Sequence, residues 1–191
     1  MEPNLGEALN VLQTLDVLLN QYFVQTGLGW AMAGAMLAVL GGCVGSARGI
    51  RLAAGQSAGV LSEKPELFGQ MLVLMALPGT QGFYGFIGAI IIALRVNLLA
   101  GGVTVAPIVG VALLFVGIAL GSVLWRSAVY QGETSAACMN LVARRPEQGG
   151  RAIIMPALVE TYAVVALLAA ILMTLWLTAD GLTVTNPLTA G

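Results

Sequence analysis

The side chain with the clearest potential for chemistry in this sequence is Glu160, a carboxylic acid inside a long apolar stretch. It lies 14 residues after Pro146, which is roughly 21 Å along a helix that rises about 1.5 Å per residue. A carboxylate at that depth in a membrane is costly, so it is a candidate functional group unless a cation pairs with it. No Lys or Arg follows Arg151 in the chain. The pattern therefore favours a functional carboxylate over a structural ion pair.

The composition is typical of a chain that lies in a membrane. Of the 191 residues, 58% are hydrophobic and 9% are charged, against about a quarter charged in soluble domains. The net charge of −1 and the lack of histidine exclude a basic nucleic-acid surface and a histidine metal site. Cys43 and Cys138 lack CxxC spacing and are interpreted as packing residues. The acidic N-terminus argues against a cleaved signal peptide.

Four apolar stretches are each long enough to cross a hydrocarbon core of about 30 Å. They are predicted near residues 25–61, 67–96, 106–143 and 148–178, and the breaks between them carry the proline or glycine expected at helix boundaries. The fold class predicted is an all-α membrane protein.

An internal duplication organises these four spans. Lys64-Pro65-Glu66 recurs as Arg145-Pro146-Glu147 at an offset of 81 residues, and the same offset aligns Gly79 with Glu160. The chain is therefore predicted to be two fused helical hairpins. Basic residues cluster at the two Pro-Glu turns, which places those turns in the cytoplasm and both termini outside.

The predicted organisation has five parts. Residues 1–22 form an amphipathic N-terminal helix on the outer membrane surface. Residues 23–96 form the first transmembrane hairpin, 97–105 an external loop, 106–178 a second transmembrane hairpin with the carboxylate, and 179–191 an external tail. Glycines in the first and third spans predict close packing of these helices with each other and with further copies of the chain; they are Gly41, Gly45, Gly49, Gly55, Gly59, Gly117 and Gly121.

Residues equally far from the two hairpin turns lie at equal height, which identifies neighbours for Glu160. Gln131 lies 15 residues before Pro146 and Thr80 lies 15 residues after Pro65. Leu77, Gln81 and Tyr84 flank Thr80, and Pro78 leaves the carbonyl of Leu74 without its helical partner. Oxygen donors with one negative charge can thus converge at one depth, which suits a hard monovalent cation.

At these residues the sequence closely resembles the V-type Na⁺-ATPase K subunits, the duplicated proteolipids of bacterial V-type rotor rings. The segment Leu77-Pro78-Gly79-Thr80-Gln81-Gly82-Phe83-Tyr84-Gly85-Phe86 matches the family's second-helix motif, Val159-Glu160-Thr161-Tyr162-Ala163 its fourth-helix motif, and Gln131-Gly132 its third-helix glutamine. The resemblance covers about residues 25–178.

The resemblance implies both a site and a mechanism. Na⁺ would be surrounded by Leu77 (through its backbone oxygen), Thr80, Gln81, Gln131 and Glu160, with Tyr84 hydrogen-bonded to the carboxylate. The implied partners are further copies of the chain in a ring, a stator subunit with an arginine, central-stalk subunits and membrane lipids, in a bacterial plasma membrane, with no nucleic acid. ATP chemistry lies on other subunits, since this chain carries no Walker motif and no catalytic residue is assigned.

Three arginines in the first and third spans depart from the family pattern. Arg48, Arg51 and Arg126 stand where relatives mostly have small residues, and Arg51 lies near the height of Glu160. Glu133 is its nearest candidate partner by height, so an Arg51–Glu133 ion pair is predicted.

Three alternatives remain at this point. The same rotor could carry H⁺ instead of Na⁺. The chain could be a small proton-coupled exporter of organic cations, although aromatic residues, which would line such a cavity, make up 6% of it. A structural or channel-forming membrane protein is the third alternative, and it leaves the shared height of Thr80, Gln131 and Glu160 unexplained.

Overall fold

The computed structural model describes residues 5–98 and 105–179, and every regular element in these ranges is helical. The order is α1 (Leu5–Leu19), α2 (Leu28–Glu63), α3 (Phe68–Ala76), α4 (Thr80–Arg95), α5 (Pro107–Arg144), α6 (Gly149–Ala152) and α7 (Ile154–Leu177). Four continuous runs of helix are long and apolar enough to cross a membrane: Leu28–Glu63, Pro65–Arg95, Pro107–Arg144 and Pro146–Leu177. The predicted fold class is confirmed, and the chain is a multi-pass membrane protein.

The two Pro-Glu turns have nearly identical backbone conformations, as a duplication requires. Lys64 has φ −136° and ψ 71°, and Arg145 has φ −139° and ψ 80°. Each precedes a proline, which disfavours the helical region for the residue before it. A 3₁₀ turn follows each of them, Pro65–Leu67 and Pro146–Gln148. The chain thus reverses direction in the same way at both turns.

Glycine permits the closest contact in the molecule, between α2 and α5. The backbone of Gly34 touches that of Gly117, Gly41 touches Gly121, and Gly49 touches Gly132. A side chain at any of these positions would overlap backbone of the facing helix, so glycine is required for this approach. Gly55 and Gly59, by contrast, have nothing within 4 Å of an added Cβ and play no part in packing within the chain.

Prolines interrupt two of the three transmembrane segments that carry the candidate site. A 3₁₀ turn at Leu77–Gly79 separates α3 from α4 around Pro78, and a turn at Ile153, three residues before Pro156, separates α6 from α7. Proline removes one helical hydrogen bond and crowds the preceding turn, which explains both interruptions.

Further structure is found near the two ends of the described residues. The N-terminal helix is present as α1 and continues as a π-helical segment, Asn20–Gln25, which the sequence did not predict. Arg95, at the end of α4, donates hydrogen bonds to the hydroxyl (2.8 Å) and carbonyl (2.7 Å) of Thr178. Most of the predicted external loop and all of the predicted tail after Ala179 lie outside the described residues.

Candidate functional site

The first part of the site is built by the 3₁₀ turn at Leu77–Gly79. Buried Pro78 packs behind it against Gly49 of α2. The hydroxyl of Thr80 donates to the backbone oxygen of Leu77 at 3.1 Å. The turn therefore places a carbonyl oxygen and a hydroxyl oxygen together at the start of α4.

Glu160, on α7, accepts hydrogen bonds from two other helices. The Tyr84 hydroxyl of α4 donates to Oε1 at 2.5 Å, and Nε2 of Gln131 on α5 donates to Oε2 at 3.2 Å. The carboxylate is partly buried between these helices. Hydrogen bonds to an ionised group are stronger than those between neutral groups, so they fix the orientation of the carboxylate.

Two fully buried glutamines connect the carboxylate to Thr80. Gln81 and Gln131 are each 0% exposed, and Nε2 of Gln81 donates to Oε1 of Gln131 at 2.5 Å. The Thr80 hydroxyl lies 3.4 Å from Oε1 of Gln81. Buried amides need partners, and this chain of bonds supplies them.

The structure therefore brings all six residues predicted from the sequence into one connected cluster. Glu160, Gln131, Gln81, Thr80 and Tyr84 join through side-chain hydrogen bonds, and Leu77 joins through its carbonyl. Their convergence at one height matches the duplication argument. Their role as ion ligands stays a prediction.

Sequence reasoning missed Ser127. Its side chain is 7% exposed, its hydroxyl lies 3.5 Å from Nε2 of Gln81, and it donates to the carbonyl of Val159 at 3.4 Å. It thus supports the Gln81 amide and the backbone next to the carboxylate. The signal was available, because Ser127 lies four residues before Gln131 and so on the same helix face.

The predicted Arg51–Glu133 ion pair is wrong within the chain. Both side chains are exposed and they form no bond with each other. The error is one of direction around the helix: Arg51 lies two residues after Gly49, about 200° around α2 from the face that packs on α5. Arg51 also forms no bond with Glu160. Arg48 instead lies 5.2 Å above the ring of Trp125, a cation–π contact.

Only the second hairpin carries a carboxylate at this level. The 81-residue offset pairs Glu160 with Gly79, Gln131 with Ile50 and Gln81 with Tyr162. The first repeat contributes Thr80, Gln81 and Tyr84 to the site, and the second contributes the acid and Gln131. One duplicated chain therefore forms one site, at the junction of its two repeats.

The match to a known family agrees with this two-part geometry. The model of the family described as the C subunit of ATP synthase matches residues 33–92 and again residues 108–173. The chain belongs to this ATP synthase C-subunit family. Each match covers one hairpin, so the unit that defines the family occurs twice in this chain.

Two relatives extend the match to most of the chain. It is 32% identical over 161 residues to the V-type sodium ATPase subunit K of Enterococcus hirae, covering 84% of this chain and 98% of that protein. It is 35% identical over 164 residues to the A-type ATP synthase subunit K of Methanocaldococcus jannaschii, covering 84% of this chain and 70% of that protein. One relative is thus named as a subunit of a V-type sodium ATPase and the other as a subunit of an A-type ATP synthase.

Proposed function

We propose that this chain is the rotor-ring proteolipid of a V-type ATPase and that Glu160 carries Na⁺ across the membrane. Copies of the chain form a ring that turns against a stator, and rotation is coupled to ATP hydrolysis or synthesis on other subunits. The site beside Glu160 carries the proposal. The names of both relatives support the complex, and that of the Enterococcus hirae relative supports the ion.

The donor set supports a monovalent cation. The residues that would hold it are joined in sequence by hydrogen bonds, from Leu77 through Thr80, Gln81 and Gln131 to Glu160. Together they carry a carboxylate, two side-chain amide oxygens, a hydroxyl and a backbone oxygen. Oxygen ligands suit hard cations, and one carboxylate balances one positive charge. Among the described residues, no three His, Cys, Asp or Glu side chains come together.

Charge neutralisation is the physical basis of transport. An unpaired carboxylate in hydrocarbon costs several kcal/mol or more, so an empty site resists rotation into lipid. A bound Na⁺ cancels the charge of Glu160, and Tyr84 and Gln131 hold the carboxylate in place. A stator arginine on another chain then displaces the ion into an exit channel after nearly a full turn.

Two features favour Na⁺ over H⁺. A proton needs a single acceptor, whereas Gln81 and Gln131 are fully buried, and burial of two amides is costly unless they serve a ligand or a specific network. Thr80 also presents its hydroxyl oxygen beside one of these amides. A proton-only site would need no polar group beyond those that contact Glu160, whereas Gln81 and Thr80 extend the array past that contact.

The deciding experiment is protection of Glu160 against a carbodiimide in the purified ring. The reagent modifies the protonated acid, so bound Na⁺ should slow labelling in a concentration-dependent way, whereas K⁺ at equal ionic strength should not. Glu160→Gln should abolish both labelling and ion-coupled ATPase activity while ring assembly continues. Labelling that responds to pH but not to Na⁺ would assign H⁺ as the ion.

Matched variants locate the ligands. Gln81→Leu with Gln131→Leu should remove Na⁺ protection while leaving Glu160 reactive at acidic pH. Glu63→Gln, at an exposed carboxylate at the end of α2, should leave both labelling and protection unchanged. Retained ion-coupled activity in Glu160→Gln would contradict the proposal.

A further inference from the structure

The α5–α7 side of the molecule carries an open groove of about 670 Å³, lined by residues of α5 between Ser122 and Tyr130 and by Val159 and Tyr162 of α7. The 81-residue offset maps this lining onto the first repeat. Tyr130 corresponds to Gly49, and Val159 corresponds to Pro78. Within the chain that corresponding face is filled, because Gly49 packs against Ala128 of α5 and against Pro78. The groove therefore lies on the face of the second repeat that corresponds to the filled face of the first repeat.

In the first repeat this face is filled by α5, the first helix of the following repeat. When the pattern continues from one copy to the next, the first helix of the following repeat is α2 of another copy, and it fills the groove. Three glycines of α5 that touch α2 are Gly117, Gly121 and Gly132. Their counterparts in α2 are Met36, Leu40 and Arg51, and all three are exposed. The duplication therefore leaves two uncovered strips of helix surface, which we call the open stripes of α5 and α2. The open stripe of α5 corresponds to the face of α2 that packs on α5 within the chain, and the open stripe of α2 corresponds to the face of α5 that packs on α2.

Glycine is replaced by large side chains at these open positions. Phe115 corresponds to Gly34 and is 64% exposed, and Met36 corresponds to Gly117 and is 65% exposed. In a membrane such groups face either lipid or another chain, and the 81-residue offset relates these two to the contact between α2 and α5. Contact between copies must be wider than the glycine contact within the chain, since side chains intervene.

Charge completes the match between the two stripes. Glu133 lies on the open stripe of α5, seven residues after Arg126 and three after Tyr130, and it is exposed. Arg51 lies on the open stripe of α2 at the height of Gly132, the residue before Glu133. Neither has an ion-pair partner within the described ranges, 5–98 and 105–179. Exposed charges of opposite sign at one height on opposite sides of a protomer are complementary between copies.

We infer that Arg51 of one copy pairs with Glu133 of the next, and that α2 of the first copy fills the α5–α7 groove of the next, beside its ion site. The inference rests on the proposed function in one respect, that copies form a ring. It adds the surface on which they meet and a charged contact at the height of Glu160. The interface is heterologous, with different patches on its two sides, and such an interface forms a ring when the rotation from copy to copy closes.

Cross-linking between two differently marked chains tests this contact directly. In a background with Cys43→Ser and Cys138→Ala, chains carrying Arg51→Cys and a distinct tag are co-expressed with chains carrying Glu133→Cys. A short bismaleimide should produce a heterodimer in the purified ring. Ala119→Cys is the matched control: it is exposed on the same stripe but about 21 Å away along α5, so its heterodimer yield should be at least tenfold lower.

Charge exchange supplies a second, functional arm. Arg51→Glu and Glu133→Arg should each reduce the fraction of ring that survives detergent heating, and the double variant should recover most of it. Equal cross-linking for Ala119 and Glu133, or no recovery in the double variant, overturns the inference. Na⁺ protection of Glu160 in the same preparations reports the proposed function separately, because that site lies within one chain.

Discussion

Gly49 couples helix packing to the candidate site, so Gly49→Ala is the most informative single substitution. An added Cβ would lie 2.7 Å from Cβ of Pro78 and closer still to the carbonyl oxygen of Ala128. Ordinary contacts begin near 3.4 Å, so these groups must separate by at least about 0.7 Å. Pro78 sits in the turn with Leu77 and Thr80, and Ala128 lies three residues before Gln131.

The displacement is large on the scale that an ion site tolerates. Ligand distances in metal sites hold to about 0.2 Å, so a shift of this size should weaken Na⁺ binding about tenfold or more. Overpacking typically costs about 1–3 kcal/mol of stability. Gly55→Ala, six residues later in α2, is the matched control, because its Cβ meets nothing within 4 Å and alanine favours the helix by roughly 0.5–1 kcal/mol.

Two assays on purified rings measure these effects. Thermal dissociation in detergent reports packing, and equilibrium binding of radioactive Na⁺ reports the site. We expect Gly49→Ala to lower both the dissociation temperature and the Na⁺ affinity, and Gly55→Ala to keep the Na⁺ affinity of the parent protein. If Gly49→Ala is as stable as the parent protein and binds Na⁺ equally well, the close contact between α2, Pro78 and α5 does not position the site.

Three further predictions concern single hydrogen-bonding groups. Thr80→Val should weaken Na⁺ binding about tenfold, because it removes one oxygen ligand. Thr161→Val, at the corresponding position of the second repeat, should leave binding unchanged, because the exposed Thr161 hydroxyl bonds only within its own helix. Binding of ²²Na⁺ distinguishes the two variants, and equal losses of affinity would refute the assignment of Thr80 as a ligand. Tyr84→Phe removes the 2.5 Å hydrogen bond to the carboxylate, and since bonds to charged groups contribute about 1.5–3 kcal/mol, carbodiimide protection should require at least tenfold more Na⁺. Arg95→Lys cannot reproduce the two hydrogen bonds to Thr178, so ring stability should fall by about 0.5–1.5 kcal/mol while Na⁺ affinity stays unchanged. An unaltered dissociation temperature would show that this contact does not join the ends of α4 and α7.

Much of the fold followed from two one-dimensional signals. Apolar length predicted four membrane spans, and the repeated Lys/Arg-Pro-Glu turns defined the offset that relates the hairpins. The same offset defined heights, which is why Thr80, Gln131 and Glu160 could be grouped from the order of residues alone. Height is additive along a helix, so small errors in the helix ends do not disturb it.

Direction around a helix was harder to obtain. The Arg51–Glu133 pairing within one chain failed because α2 turns its glycine face, not Arg51, toward α5. Ser127 was missed because residues were grouped by height, and Ser127 lies one helical turn, about 6 Å, from the level of Gln131 although it shares its helix face. The π-helical segment after α1 depends on local bonding that the apolar pattern does not encode.

The first repeat has Gly79 where the second repeat has Glu160, and this difference sets the number of ions that a rotor built from this chain moves in each revolution. Four membrane spans then carry one ion, whereas a carboxylate in each repeat would give two. A ring with a given number of spans therefore moves half as many ions in each revolution. Each ATP consumed drives fewer ions, and every ion can be pushed against a steeper electrochemical slope.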